Sequence, residues 1–154
     1  KSWDISKDGK TYTFHLNSNM CFSNGDKLDA DDVAWSINQL KEKQYYNANQ
    51  VASLDKAEAV DANTVKLTLS TPDSNLLWYL TGRPGLVFDK NAKYNAKTEA
   101  VGSGPYTFES WSNGAVTLQK NPTYWKGEPK IDTVIWREMQ DEDKIPALSP
   151  ARST

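Results

Sequence analysis

Four aspartates stand close together where the sequence passes from strand-like segments into a helical pattern. They lie in the stretch "FSNGDKLDADDVAWSIN" and are Asp26, Asp29, Asp31 and Asp32. Clustered carboxylates can bind a divalent cation, act as acid and base, or begin a helix. The Asp-x-Asp-x-Asp-Gly spacing of a calcium loop is absent. Because the apolar residues that follow recur at helical spacing, the sequence predicts that Asp29 caps a helix and that Asp32 reaches back to its start.

The sequence lacks the residues that a nucleophilic or metal-dependent active site would need. His15 is the single histidine and Cys21 the single cysteine, so a Ser-His-Asp or Cys-His site or a thiolate metal cluster is not expected. His15 falls on the polar side of an alternating strand, where we expect it to be solvated or paired across strands. No two acids stand out as a catalytic pair. These residues argue against an enzyme and indicate no metal or cofactor site.

The segment "WYLTGRPG" contains the clearest candidate for ligand binding, Arg83. A guanidinium held in a loop between Gly82 and Pro84 presents a rigid fork of donors that suits a carboxylate or an anionic metal chelate. The alternative is that Arg83 pairs with an acid at the surface. Trp78 and Tyr79 are also candidates, because the neighbouring leucines suffice to anchor a short helix without them.

The stretch "GSGPY" supplies one further candidate, Gly104, whose backbone could contact a ligand. The favoured interpretation is structural. Gly102 and Gly104 would allow a sharp turn with close packing, and Pro105 would then fix the start of a strand.

Aromatic residues outside the strands allow different interpretations. Tyr124 and Trp125 in "NPTYWKG" are expected to form a buried aromatic cluster. Trp35 lies on the helix face opposite Val33 and Ile37. Either a second layer covers Trp35 or it marks a contact surface.

These residues must be positioned by short strands and a few helices. Alternating patterns and turn residues predict hairpins over 3–16 and 54–69, with a brief strand at 20–22. Helical patterns follow Asp29 and cover 75–80, and a further short helix is expected within 89–100. Three strands between 106 and 136 complete the chain. The sequence therefore predicts an α/β fold with a mixed, largely antiparallel sheet and few helices.

The composition narrows the function classes. The 154 residues carry a net charge of −2, and 11% of them are aromatic. The charge provides no basic surface for nucleic acid, and no apolar run approaches the length of a membrane span. Residues 1–143 are expected to form one structural unit. The periodic pattern then dissolves, so residues 144–154 are expected to be a disordered or artificially added tail.

Three motifs together resemble a known family. They are "DGKTYTFHL" with "FSNGDKLDADDVAWSI", the hairpin "VDANTVKLTLSTP", and "GSGPYTFESW" followed by "VTLQKNPTYWKGEPKIDTVIW". Their order and spacing resemble those of the family-5 extracellular solute-binding proteins, the peptide, nickel and oligosaccharide receptors of ABC importers. Members of that family are much longer. The resemblance extends to about Asp141 and covers part of their first lobe.

The resemblance implies part of the first lobe of a class II periplasmic-binding-protein-like fold. The parent protein would capture a short peptide, a nickel chelate or an oligosaccharide outside the cytoplasm, in the periplasm or as a cell-surface lipoprotein. Its partners would be that solute and the transmembrane permease subunits, and it would be a monomer. In some nickel-binding relatives the loop matching that of Arg83 carries an arginine that contacts the bound complex.

One lobe alone is expected to bind ligand weakly or not at all, because a hinged receptor encloses its solute between two lobes. The aromatic and β content leaves one alternative of another class. This is an aromatic-rich β module that binds carbohydrate or mediates adhesion.

Overall fold

The computed structural model describes residues 1–95 and 97–138, which form two antiparallel sheets and two α-helices. The first sheet contains β1 (Ser2–Ile5), β2 (Thr11–His15), β3 (Leu54–Asp61) and β4 (Thr64–Leu69). The helices are α1 (Ala30–Glu42) and α2 (Leu76–Tyr79), and short 3-10 turns cover Ala48–Val51 and Arg83–Gly85. The second sheet contains β5 (Tyr106–Ser112), β6 (Ala115–Lys120) and β7 (Thr133–Arg137). The predicted α/β class with few helices and antiparallel pairing is confirmed.

The main core lies between the first sheet and α1. The strands run in the order β1-β2-β4-β3, and each neighbouring pair is antiparallel. Alternation along β4 buries Val65, Leu67 and Leu69 on one face. Ile37 and Leu40 of α1 join them in the same cluster. Removing such side chains from water stabilises the fold by about 25 cal/mol per Å² of apolar surface, so this contact holds α1 on the sheet.

The start of α1 follows the aspartate pattern. Asp29 Oδ1 accepts hydrogen bonds from the backbone N–H groups of Asp31 at 3.0 Å and Asp32 at 3.4 Å. Asp32 Oδ2 accepts one in return from the Asp29 N–H at 3.1 Å. This reciprocal capping box satisfies donors that the first turn of a helix leaves without partners. The capping prediction is confirmed.

The second sheet has one apolar face. Its strands run in the order β5-β6-β7, and the register aligns Trp111 with Val116 and Val116 with Trp136. The next row on this face is also apolar and contains Phe108, Leu118 and Val134. Trp111 and Trp136 are both exposed in this chain. The alternation that makes these strands therefore also leaves an uncovered apolar row.

His15 lies where the sequence places it, on the polar side of β2. Its Nε2 lies 3.0 Å from Asp4 Oδ2 on the neighbouring strand β1. The predicted cross-strand pairing is confirmed, and the pair lies on the surface.

Two predictions of local structure are wrong. Residues 20–22 form no strand, and Cys21 makes only an isolated bridge to Lys27 across a tight turn. The described residues within 89–100 form turns and irregular chain where a helix was expected. Asp89 and Asn95 each accept a hydrogen bond from the backbone N–H two residues later. Such local bonds compete with the helical pattern, which explains the second error.

The glycines and aromatics of the last third also differ from expectation. A Cβ atom at Gly102 would meet nothing within 4 Å, and one at Gly104 would only touch the Tyr106 carbonyl oxygen at 4.0 Å. Close packing therefore does not require either glycine in this chain. Tyr124 and Trp125 are half-buried and not in the core. Their rings pack edge to face with centroids 5.9 Å apart.

The predicted tail, residues 144–154, lies outside the described residues, as does the predicted boundary at 143. In the described ranges no helix combines the length and the apolar character needed to cross a bilayer.

Candidate functional site

A groove of about 600 Å³ lies between α1 and the chain that follows α2. Its walls come from the C-terminal half of α1, the connector behind it, the Arg83–Gly85 turn and the segment 86–94. Five aromatic side chains line it: Trp35, Tyr45, Tyr46, Phe88 and Tyr94. Sites for small ligands are typically concave and largely apolar with a few placed polar groups. The groove has this character.

The connector after α1 holds two of the tyrosines at the groove. Gln44 (φ 52°) and Asn47 (φ 70°) adopt the left-handed conformation on either side of Tyr45 and Tyr46. For residues with a side chain this conformation costs on the order of 1 kcal/mol each, and such strain is concentrated at functional sites. The Ala48 N–H donates to the Tyr45 carbonyl oxygen at 2.9 Å and closes the bend. Two unfavourable residues thus keep both rings at the end of α1.

Arg83 stands at the groove with its guanidinium over the ring of Tyr46. The distance from Arg83 Cζ to the ring centroid is 4.6 Å, a cation–π contact that restrains the guanidinium plane. No carboxylate oxygen of the described residues lies within 4.0 Å of its nitrogens. The surface ion pair that was the alternative role for Arg83 is therefore not made within these residues. Among the described residues, none occupies the N–H edge of the guanidinium, which is the part of Arg83 that would meet an anion.

Gly85 sets the path of the turn that carries Arg83. The Gly85 N–H donates to the Gly82 carbonyl oxygen at 3.1 Å. A Cβ atom at Gly85 would overlap the Leu80 carbonyl oxygen and lie 2.7 Å from the Leu80 carbonyl carbon. Only glycine permits this approach of two backbone segments. The turn is therefore held directly against the end of α2.

α1 fastens the opposite wall of the groove through Ser36. The Ser36 Oγ accepts a hydrogen bond from the Phe88 N–H at 2.8 Å and donates one to the Phe88 carbonyl oxygen at 3.2 Å. Two residues on, the Lys90 N–H donates to Asp32 Oδ1 at 3.3 Å. Backbone groups beside a core need such partners when no strand supplies them. The helix therefore fixes the backbone of this wall at Phe88 and Lys90.

Two buried carboxylates next to this wall have pKa values shifted in opposite directions. Burial raises the pKa of Asp32, and the hydrogen bonds from backbone N–H groups offset only part of that effect. Burial also acts to raise the pKa of Asp89, but hydrogen bonds outweigh it and the net pKa lies below the ordinary value. The bonds to Asp89 come from Asn24 Nδ2 at 2.9 Å and the Asn91 N–H at 2.8 Å. Asp89 is thus held as a carboxylate beside the groove.

We expect these two carboxylates to give opposite pH dependences of stability. The folded pKa of Asp89 is below its unfolded value of about 3.9, so its contribution is present above that value and lost as the pH falls through the folded pKa. The folded pKa of Asp32 is raised, so its contribution is present below the unfolded value and lost as the pH rises through the folded pKa. Asp89→Asn should therefore flatten the acid loss of stability, and Asp32→Asn should steepen it.

Urea unfolding followed by tryptophan fluorescence, repeated between about pH 6 and pH 3, measures these slopes because the ordinary aspartate pKa of about 3.9 lies within that range. Profiles of the two variants that run parallel to that of the wild type would contradict the assignment.

The four residues predicted to bind ligand do not come together. Arg83 lines the groove, whereas Trp78 and Tyr79 do not. Trp78 is 76% exposed, and α2 is anchored instead by the buried Leu76, as expected. Gly104 lies just before β5, where its carbonyl oxygen accepts a hydrogen bond from Asn121 Nδ2 at 2.9 Å. Ligand binding by these four residues stays a prediction, and the groove geometry favours it for Arg83.

Most of the groove was not found by sequence reasoning. The sequence leaves two interpretations open for Trp35, and in the structure Trp35 lines the groove. Tyr45 and Tyr46 lie in a polar stretch that has no periodic pattern, and two adjacent tyrosines are the signal that it does contain. Phe88 and Tyr94 carried no signal of their own. They reach the groove only because Ser36 and Asp32 fasten their segment to α1.

Residues 1–148 match the family model of the bacterial extracellular solute-binding proteins, family 5 (Middle). The chain belongs to this family. It is 34% identical over 155 residues to the glutathione-binding protein GsiB of Pectobacterium atrosepticum, an alignment that covers 96% of this chain and 30% of GsiB. The chain therefore spans less than a third of the length of this relative.

Solved structures of the family share the fold. The protein MoaA of A. tumefaciens, in complex with mannopinic acid, superposes with a TM-score of 0.86 at 30% identity, covering 96% of this chain and 31% of MoaA. NikZ of Campylobacter jejuni, in complex with Ni(L-His), superposes with a TM-score of 0.82 at 28% identity, covering 96% of this chain and 31% of NikZ. The predicted periplasmic-binding-protein-like fold is confirmed.

Family membership also decides between the function classes. The family consists of solute-binding proteins and is extracellular, which confirms the predicted extracytoplasmic location and supports a binding protein over an enzyme. A carbohydrate-binding or adhesion module of a different fold is not favoured. Family membership alone does not identify the solute, which depends on the side chains that line the groove.

Proposed function

We propose that this chain is part of the first lobe of the substrate-binding component of an ABC importer. Residues 1–143 would form that part of the lobe. The parent protein would capture a short peptide, or a related small carboxylate or nickel chelate, outside the cytoplasm. This range of solutes is supported by the similar proteins, whose names or structures include glutathione, mannopinic acid and Ni(L-His). The parent would act as a monomer and deliver its solute to the permease subunits.

The observation that carries the proposal is Arg83 at the aromatic groove. Its guanidinium rests on Tyr46 and no described carboxylate neutralises it. The solutes of the similar proteins are amino-acid derivatives or peptides, and a carboxylate is the group that an arginine fork binds in two-point fashion. Arg83 would therefore hold the carboxylate of the solute.

The groove is open on one side, and this explains how such a receptor would work. A binding site usually encloses most of the surface of a small ligand. One lobe can offer only part of that contact, so the second lobe must close over the solute for tight binding. The 154-residue chain alone is therefore expected to bind weakly or not at all.

The test is Arg83→Ala in the longer parent protein, titrated calorimetrically with glutathione and with the nickel–histidine complex. Hydrogen bonds to a charged group contribute about 1.5–3 kcal/mol, so we expect affinity for the bound probe to fall about 10- to 100-fold. Lys7→Ala removes an equal charge from an exposed turn away from the groove and should leave affinity unchanged.

Equal affinities of the Arg83→Ala variant and the wild type would contradict the role of Arg83. Submicromolar binding of either probe by the 154-residue chain alone would contradict the two-lobe mechanism.

A further inference from the structure

Exposed aromatic rings are gathered at the groove around a single guanidinium. Trp35 (40% exposed), Tyr45 (57%), Tyr46 (72%) and Phe88 (43%) all line it. The other exposed aromatic side chains of the described residues lie on the sheets or on α2, away from the groove lining: Trp3, Trp78, Trp111 and Trp136. An arginine can bind the carboxylate of a ligand without exposed aromatic rings around it, so this apolar cluster needs another explanation. The rings therefore bear on the rest of the ligand.

Several polar groups in the groove already have partners. Ser36 Oγ is bonded to the backbone of Phe88. Gln39 Nε2 donates to Glu42 at 3.0 Å, and the Asp89 carboxylate accepts from Asn24 and from the Asn91 N–H. A ligand rich in hydroxyls would lose hydration here and could recover it mainly from the tyrosine hydroxyls, the Trp35 indole N–H and the two cations of the lining. A flat hydrocarbon surface carries no such cost.

The charges around the groove favour an anion. Arg83 has no carboxylate of the described residues within 4.0 Å, and Asp89 is turned toward Asn24. The other cation of the lining, Lys90, lies 3.5 Å from Asp31 on α1 and is partly neutralised. Arg83 is thus the cation of the lining that has no ion-pair partner among the described residues, and its guanidinium lies over the Tyr46 ring at 4.6 Å. Asp89 keeps its negative charge, but its oxygens accept from Asn24 and from the Asn91 N–H. The N–H edge of Arg83 and the neighbouring rings are what a ligand meets.

We propose that the solute of this groove carries a flat aromatic or conjugated group next to its carboxylate. The carboxylate lies on the edge of Arg83, and the flat group packs against Tyr46 and the other rings that line the groove, Trp35 and Phe88. Aromatic pairs contribute beyond their buried area when they stack offset or edge to face. The proposal rests on the proposed function and narrows the solute to an aryl-bearing peptide or amino-acid conjugate.

The test compares three carboxylates of different shape on the longer parent protein, in which both lobes can enclose a ligand. Benzoylglycine has a flat ring, cyclohexanecarbonylglycine has the same skeleton with a puckered ring, and glucuronate has hydroxyls. Binding is followed by NMR through the indole Nε1–H signal of Trp35, assigned with Trp35→Phe. We expect benzoylglycine to bind about 3- to 10-fold more tightly than the cyclohexane analogue, and glucuronate to bind most weakly.

Two variants localise the effect. Tyr46→Leu should remove the preference for the flat ring, whereas Tyr46→Phe should keep it. Because Tyr46 is exposed, neither change is expected to unfold the chain, and far-ultraviolet circular dichroism checks this. Trp136→Leu, an equally exposed ring on β7, serves as the matched control and should change no affinity.

Equal affinities for benzoylglycine and its cyclohexane analogue would overturn the inference and leave the proposed function standing. Absence of any Trp35 shift with all three probes would also overturn it. The proposed function is decided separately, by the Arg83→Ala titration of the longer parent.

Discussion

Gly85→Ala is expected to lower the free energy of unfolding by about 3 kcal/mol, at the upper end of what overpacked sites lose. The added Cβ would overlap the Leu80 carbonyl oxygen, and the obstructing atoms belong to backbone that cannot rotate away. Relief requires the Arg83–Gly85 turn to move off α2. Denaturation by urea, followed by tryptophan fluorescence, measures the loss.

Gly102→Ala is the matched control for this prediction. A Cβ at Gly102 meets nothing within 4 Å, so its effect should stay within about 0.5 kcal/mol, as for ordinary surface changes. If the two variants were equally stable, the close approach of the Gly85 turn to α2 would be wrong. The same comparison distinguishes Gly85, which the close approach of Leu80 requires, from Gly102, which only the sequence motif suggested.

Asn121→Ala should be the other large change, with a loss of about 2–4 kcal/mol for a buried polar side chain whose partners are left without bonds. Asn121 is 2% exposed. Its Nδ2 donates to the Gly104 carbonyl oxygen at 2.9 Å, and its Oδ1 accepts from the Thr123 N–H at 3.1 Å and hydroxyl at 2.8 Å. Removing the amide leaves a cavity and takes away the bond to Gly104, so the chain before β5 is then held at this point only by the backbone bond from the N–H of residue 121 to the Pro105 carbonyl oxygen. Thermal and urea unfolding should both report the loss.

Asn75→Ala is the control for that loss. Asn75 is exposed and makes no capping bond with its side chain, so a change of less than about 0.5 kcal/mol is expected. Asn121→Asp keeps an acceptor for Thr123 but cannot donate to Gly104. If Asn121→Asp matched the wild type, the bond to Gly104 would not be what holds this segment.

Much of the local structure could be predicted because its causes lie close together in sequence. The Asp29–Asp32 capping box joins residues three apart, and the alternation of β4 is visible within six residues. The errors have local causes too. The side chains of Asp89 and Asn95 accept hydrogen bonds from the backbone two residues on, and turns form there in place of the short helix expected within 89–100.

The groove could not be predicted in the same way. Ser36 and Phe88 are 52 positions apart, and no periodicity links them. Arg83 was found because its residue type and flanking Gly and Pro are informative in themselves. Its partner Tyr46 was not, since an exposed tyrosine in a polar connector has many possible roles. Trp78 and Tyr79 are candidates because the neighbouring leucines suffice to anchor α2, but a ring that is free of the core need not lie at the groove, and neither of these two does.

By itself the sequence determined the strands and the capped helix, because hydrogen-bonded turns, caps and alternation act over a few residues. The order and spacing of its three motifs also indicated membership in a family of solute-binding proteins. Only the tertiary structure decided which side chains share a groove and which glycine cannot be replaced. Those outcomes depend on contacts between backbone and side chains from distant segments. Packing brings such segments together, and no short stretch of sequence specifies the distance between them.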